Sequence, residues 1–511
     1  MHRLLSVCVA TVLLSGCETL GTTPRWMPAT LSDQTPYLQQ LSPDQVKSPS
    51  GDDMQKDVRK LQSTGLGLVY HPELEQLLNE ELQRVKEASG FTEVSNRVFI
   101  LASPTMNALT TARGNIYIPM GMLMDIQSMD ELDALLAHEL AHTILGHTDV
   151  DILKEIQKKG TAAFAVVNRL GMDAHNADSV NRRIRNSVAL YMATERILNP
   201  SWSRKQETDA DRLAVDLLVK ARRNVNGMTA LLGRIGQWDT INARLRENDK
   251  PRQSMLVSAA VGQFAQNEWQ ALLIQALDPV GRRVEDEIAQ AGHTHLGPEA
   301  RLHDVNDYVR AHYRKAPRPA VDSKNWVRVA HSPKSRRLAQ GVAQAHTAYR
   351  LVGQGDSRGA SHALAKARHR DVAGQTFYQL ARASVAEDKH QPKEVISLAH
   401  AGAGNVYPSY RMQVMAQRAK ARQSGKADTA ELNALYEEFG HYGRPVEFYY
   451  DLIQLAETTD QTSLKLELAF RCRVDYFGDA NACSAPQQQA QAAQDPGIVG
   501  GFLGLFGKGQ R

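Results

Sequence analysis

The sequence predicts a mainly α fold with a small β-sheet, divided into a domain built around a metal site and a following array of helical hairpins. Three observations carry that prediction. A His-Glu-x-x-His run sits inside an apolar stretch of helical period, an acidic helical motif follows it further along, and Ala-rich helical patterns fill the last third of the chain. At 511 residues the chain is long enough for two or three domains. Its net charge of +4 is small for this length and no basic block is present, so nucleic acid is not implicated.

The N-terminus carries His2 and Arg3, an apolar stretch from Leu4 to Leu14, and then Leu14-Ser15-Gly16-Cys17. This reads as a secretory signal over 1–16 with a lipoprotein cleavage box, which leaves Cys17 as the lipidated residue. The apolar stretch is too short to span a bilayer comfortably. Glu18 stands where an Asp would favour retention at the inner membrane, so the expected location is the periplasmic face of the outer membrane. Residues 17–60 are rich in Pro, Ser, Thr, Gln and Asp and read as a lipid-anchored linker.

A metal-site domain is expected over 61–320. It opens with an amphipathic helix from Glu73 to Glu87. Residues 97–103 and 114–118 read as short strands, and the second is expected to be a sheet edge able to pair with an extended peptide. Residues 135–147 read Leu-Leu-Ala-His-Glu-Leu-Ala-His-Thr-Ile-Leu-Gly-His. His138 and His142 are four apart, so on a helix their rings project from one face. Two such imidazoles can meet one tetrahedral zinc ion, and Glu139 beside them can reach a metal-bound water. The chemistry this implies is zinc-assisted peptide hydrolysis. Gly146 and His147 each fall one residue away from the metzincin positions, which excludes that class.

A third ligand is needed elsewhere. Ser203 can cap a helix that carries Glu207 and Asp211 on one face, followed by Leu213, Ala214, Val215, Leu217 and Leu218 at helical spacing. One carboxylate can bind the metal while the other accepts a hydrogen bond from a ligand imidazole. Between the two motifs, residues 160–200 read as helices whose apolar runs are too short for membrane spans.

Residues 315–336 read as a linker. Beyond it, helix pairs are expected near 337–369, 373–404, 408–439 and 445–473, within a domain over 333–475. Their length is close to the tetratricopeptide period of about 34 residues, which makes the array TPR-like and gives it a concave face for a partner or substrate. Residues 476–511 are expected to hold a disulfide-containing loop and a flexible tail. Of the four cysteines Cys8 leaves with the signal and Cys17 is lipidated, which leaves Cys472 and Cys483, and an oxidising compartment favours their pairing.

The pair His138-Glu139-x-x-His142 and Ser203-Arg204-x-x-Glu207-x-x-Ala210-Asp211 resembles peptidase family 48, which includes HtpX-type and BepA-type metalloproteases. Asn107-Ala108, Gly114-Asn115-Ile116-Tyr117-Ile118, Gly121-Met122-Leu123 and the His147 that ends the motif helix resemble further family elements, and the likeness covers about 60–315. It implies a zincin-type metalloprotease domain that holds one Zn2+ per chain through His138, His142 and Glu207. Glu139 would be the base and Asp211 the partner behind a ligand. Thr294-His295-Leu296, then Arg301-Leu302, are similar to a last family element, although the proline expected after the histidine is displaced to Pro298. That similarity makes His295 a candidate fourth ligand or transition-state stabiliser.

BepA-type relatives join the same two parts. The expected function is a zinc endopeptidase acting on unfolded or misassembled envelope proteins in protein quality control. The alternative is an assembly factor that binds through its helical array, with the outer-membrane assembly machinery as a partner.

Overall fold

The structure, a computed structural model, describes residues 31–46, 51–63, 65–94, 96–111, 113–147, 204–249 and 297–475. The expectations placed on Cys17, on 160–200, on His295, on Cys483 and on the tail lie outside the described residues.

The first half of the described chain alternates helix and strand. Helix α1 spans Gly51–Gln62 and α2 spans Pro72–Ser89. Strands follow at β1 (Arg97–Leu101), β2 (Leu109–Thr110) and β3 (Asn115–Pro119). Helices α3 (Met120–Asp125), α4 (Met129–Ile144), α5 (Arg204–Lys220), α6 (Asn226–Asp249) and α7 (Pro298–His312) complete this part. Pro72 and Pro298 stand in the first turns of their helices, where the missing N–H is not needed.

The sheet order is β1-β3-β2, with β1 and β3 parallel and β2 antiparallel to β3. Strand β3 is therefore central, and the expectation that it forms an open edge is wrong. Two-residue β2 pairs with it on one side, β1 on the other. The far side of β1 is covered in turn: Val69 N–H donates to Ile100 O and Ala102 N–H to Gly67 O, both at 2.9 Å. Side chains alternate between two buried faces. Val98, Ile100, Ile116 and Ile118 enter the main core, whereas Phe99, Leu101, Leu109 and Tyr117 enter a smaller cluster.

Part of the expected N-terminal linker is folded. Val58 and Leu61 of α1 lie in the smaller cluster, so α1 covers the second face of the sheet. Upstream, Tyr37 is 1% exposed and packs edge-on against Tyr308 of α7. The polar composition of 17–60 hides these few apolar residues, and they suffice to dock the segment.

The expected linker at 315–336 is also built onto the domain. It contains helix α8 (Ser323–Ala330), capped by the Asp322 side chain. Trp326 is fully buried and donates its indole N–H to Ile126 O at 2.6 Å, and Met129 N–H donates to Asp322 O.

The helical pairs fall where the sequence places them. They are α9 (Pro333–Gly353) with α10 (Ser357–Lys366), α12 (Thr376–Asp388) with α13 (Pro392–Ala403), α14 (Tyr410–Ser424) with α15 (Thr429–Phe439), and α16 (Val446–Thr458) with α17 (Thr462–Asp475). A single extra turn, α11 (Arg370–Ala373), separates the first two. Ser332, Asp356, Ser409 and Asp428 cap helix starts with their side chains.

The main core runs without a break from the metal-site domain into the first hairpins. Tyr407, between α13 and α14, packs its ring on Phe99 and donates its hydroxyl to Glu75. Tyr70 and Gln375 exchange two hydrogen bonds, at 2.9 and 3.0 Å. Cys472 of α17 is fully buried and disulfide-bonded, and its partner lies outside the described residues. Among the described residues no helix is long and apolar enough to cross a membrane.

Candidate metal centre

Helix α4 is buried along its whole length, an uncommon state for a helix that holds four acidic residues and two histidines. Its N-terminus is fixed by the Ser128 side chain, which accepts from Glu131 N–H. Leu132, Leu135, Leu136, Leu140 and Ile144 fill the core around it. A helix so held presents His138 and His142 in one orientation. Their Nε2 atoms converge to 3.1 Å.

Helix α5 meets them from the side. Glu207 lies 3.8 Å from His138 Nε2 through Oε2 and 3.7 Å from His142 Nε2 through Oε1. One ligand atom from each of the three residues lies within 4.8 Å of the others, and all three residues are buried. Donors around one tetrahedral zinc ion stand roughly 3.3–3.5 Å apart, given metal–ligand lengths near 2.1 Å. The observed spacings bracket that figure.

The outer ring atoms have partners as well. His138 Nδ1 stands 3.0 Å from Asp211 Oδ1, close although poorly aligned for a hydrogen bond. His142 Nδ1 stands 3.0 Å from His147 Nδ1. Asp211 is gripped from behind by Arg301 of α7, through Nε to Oδ2 and Nη2 to Oδ1, both at 2.7 Å. The third guanidinium nitrogen, Nη1, reaches Glu207 Oε2 at 2.8 Å. Arg301 thus ties Glu207 and Asp211 of α5 together. Glu139 is 4% exposed and accepts a hydrogen bond from the Thr110 hydroxyl at the β2 edge.

These contacts set the protonation states. Burial holds the Glu139 carboxyl above the usual range, opposed by His138 and by the Thr110 hydroxyl. Burial would also raise Asp211, but the Arg301 charge and hydrogen bonds outweigh it and keep Asp211 low and ionised. Burial pulls the His138 ring down, while Asp211 and Glu207 raise it overall. His147 is pushed down to about 3, by burial first and then by His138 and Lys205, and is therefore neutral.

The donor set suits zinc: two imidazoles and one carboxylate, buried, with an outer partner behind each ring. When ionised, the carboxylates of Glu139, Glu207 and Asp211 face one guanidinium. The remaining negative charge is costly to bury without a cation, and a divalent ion would cancel it.

The family comparison decides the class. The profile of peptidase family M48 matches residues 72–309. The metal-site domain belongs to peptidase family M48. Curated relatives agree. The chain is similar to metalloprotease YcaL of Escherichia coli (29% identical over 150 residues, 29% of this chain and 52% of the relative). It is similar to metalloprotease LoiP of the same organism (31% over 113 residues, 22% and 40%). It is also similar to the mitochondrial metalloendopeptidase OMA1 of Danio rerio (27% over 163 residues, 30% and 32%). The matched stretch spans between about a third and a half of these relatives.

The M48 domain thus brings His138, Glu139, His142, Glu207 and Asp211 into one buried cluster. Three residues of the site carried no assigned role in the sequence. Thr110 sits on a strand only two residues long. Arg301 occupies the apolar stripe that continues through Val305, Tyr308 and Val309, and an arginine on such a stripe is the signal that marks it. His147 is visible only as the end of the motif helix.

Proposed function

We propose that this chain is a zinc-dependent endopeptidase. The observation that carries the proposal is the convergence of the His138, His142 and Glu207 ligand atoms beside the buried Glu139 carboxylate. Bound zinc would supply a polarised carbonyl and a water acidic enough to attack at neutral pH. The protein's part is positional. Asp211 backs the His138 ring, Arg301 fixes Asp211 and Glu207 together, and the Glu139 carboxylate is placed to take a proton and return it to the leaving amine. Thr110 holds that carboxylate in place, and because it lies on β2 the catalytic base is joined to the last strand of the sheet among the described residues. An extended substrate would pair through main-chain hydrogen bonds with the partly exposed residues that lead into β2, Met106, Asn107 and Ala108, in place of the central β3.

The signal and cleavage box at Cys17 support a lipid-anchored enzyme at the periplasmic face of the outer membrane, acting on unfolded or misassembled envelope proteins. The four helical hairpins, read as a degenerate TPR-like array, support a second role in binding the outer-membrane assembly machinery. One experiment separates the two roles. Purified protein is assayed for zinc, and cells carrying Glu139→Gln are compared with wild type by proteomics of trapped envelope proteins. The protease reading requires about one zinc per chain, lost cleavage and accumulated substrate in the variant. Full complementation by Glu139→Gln would favour the binding role, and a purified chain that takes up no zinc would overturn the protease reading.

A further inference from the structure

Helix α4 ends in a turn whose hydrogen bonds are fully specified. His147 N–H donates to His142 O at 2.9 Å and Gly146 N–H donates to Thr143 O at 3.1 Å. Gly146 has φ +66°, the left-handed conformation that glycine adopts without a Cβ penalty. This is the Schellman pattern, in which the second residue past the helix cap folds back over the last turn. Ordinarily an apolar contact joins the residue that folds back to the helix. Here the pair is His147 and His142, with ring centroids 5.1 Å apart and Nδ1 atoms 3.0 Å apart.

Two facing ring nitrogens need one proton between them. His142 can ligate through Nε2 only if its own proton sits on Nδ1. His147 can accept that proton's hydrogen bond only if its Nδ1 is bare. The opposite arrangement, with His147 donating, would leave His142 protonated at Nε2 and unable to bind. Resting on the zinc reading above, we propose that His147 is a positioning residue: the Gly146 turn delivers its Nδ1 as the acceptor that holds His142 in the ligating tautomer. The two ligand rings are then backed by different chemistry, a carboxylate behind His138 and a neutral imidazole behind His142. The imidazole fixes the tautomer without adding a further negative charge to a pocket that already holds three carboxylates.

The test uses the full chain and reads zinc affinity by competition with a chromophoric chelator, with circular dichroism checking the fold. His147→Gln keeps an acceptor and His147→Leu removes it at similar size. The expected result is a loss of about 10–100-fold in zinc affinity for the Leu variant, the range typical of lost outer partners of metal ligands, and near wild-type affinity for the Gln variant. Gly146→Ala, which strains the turn but keeps the histidine, should weaken zinc in the same direction. In wild-type protein labelled with 15N at histidine, the His142 spectrum should show the proton on Nδ1. Equal affinity in the Leu variant and wild type would overturn the proposal, as would equal losses in Leu and Gln, which would mean that His147 only fills space. A wild-type chain that binds no zinc would instead overturn the zinc reading.

Discussion

Arg301 and Asp211, ninety positions apart in sequence, meet as a buried fork with both N···O distances at 2.7 Å. The same guanidinium reaches Glu207, so one side chain of α7 sets the position of a candidate ligand and of the carboxylate behind another. A planar fork can do this and an ammonium cannot.

Arg301→Lys should therefore fold yet hold zinc about 10-fold more weakly, because one carboxylate loses its partner. Arg301→Leu should cost about 3–5 kcal/mol of stability, the usual penalty for leaving buried charges unpaired. Chelator competition and thermal unfolding check the two expectations. A Lys variant with unchanged zinc affinity would show that the fork has no part in placing the ligands.

Thr110 donates to the Glu139 carboxylate and so favours its ionised form. Thr110→Val keeps the shape and removes the donor. The Glu139 carboxyl, already raised by burial, should then rise further. A base must be ionised to accept a proton, so the acidic limb of the kcat/KM profile should move to higher pH. Glu139→Gln should lower kcat by about 10²–10⁴-fold with zinc still bound. An acidic limb at the same pH in wild type and Thr110→Val would remove Thr110 from the account of this base.

How much of this was legible in the sequence follows from how local each feature is. His138, His142, Glu207 and Asp211 were legible because same-face spacing on a helix is a local property, read four residues at a time. The hairpins were legible through their period and their capping Ser and Asp residues. Arg301 was visible only as part of a family element and its role was not legible, because its partners lie on another helix far away in sequence. The place of β3 in the sheet was misread because two-residue β2 is too short to give an alternating pattern. Tyr37 was hidden in a polar segment, where composition speaks for the majority and one aromatic does the docking.

That aromatic has consequences for the site. Arg212, next to Asp211 on α5, makes a bidentate pair with Asp304 of α7 at 2.9 and 2.7 Å, and its guanidinium lies against both the Tyr37 and Tyr308 rings, 5.8 and 5.7 Å from their centroids. It also donates to the Tyr37 hydroxyl, while Tyr37 N–H donates to Tyr308. The segment around Tyr37 is thus a strap that clamps α5 and α7 one turn from Arg301. Tyr37→Phe should cost about 1 kcal/mol through the lost hydroxyl. Tyr37→Ala should cost about 3–5 kcal/mol, the range for deleting a buried aromatic ring. Urea unfolding measures both, and a Tyr37→Ala variant as stable as wild type would mean that the strap does not brace the fold.

A last prediction concerns pH and a residue on the far side of α4 from the ligands' partners. Asp133 is 1% exposed, and burial lifts its carboxyl to about 7, helped by Glu81 and Asp130 and opposed by Arg223, whose Nε is 3.3 Å away. In the unfolded chain the same group titrates near 3.9. Between those values the folded state holds more protons than the unfolded state, so this residue's contribution to stability falls as pH rises from about 4 to 7 and is level beyond. Asn mimics the protonated carboxyl. Asp133→Asn should match wild type near pH 4 and gain on it through the window, by up to about 4 kcal/mol at 1.36 kcal/mol per pH unit, less whatever Arg223 loses. Asp216, raised to about 6, bends both curves in the same sense, so the wild-type minus variant difference isolates Asp133. The check is a set of denaturant midpoints for both proteins from pH 4 to 8. A difference that does not change across this range would mean that Asp133 ionises as freely in the fold as in the open chain, and that its burial carries no electrostatic cost.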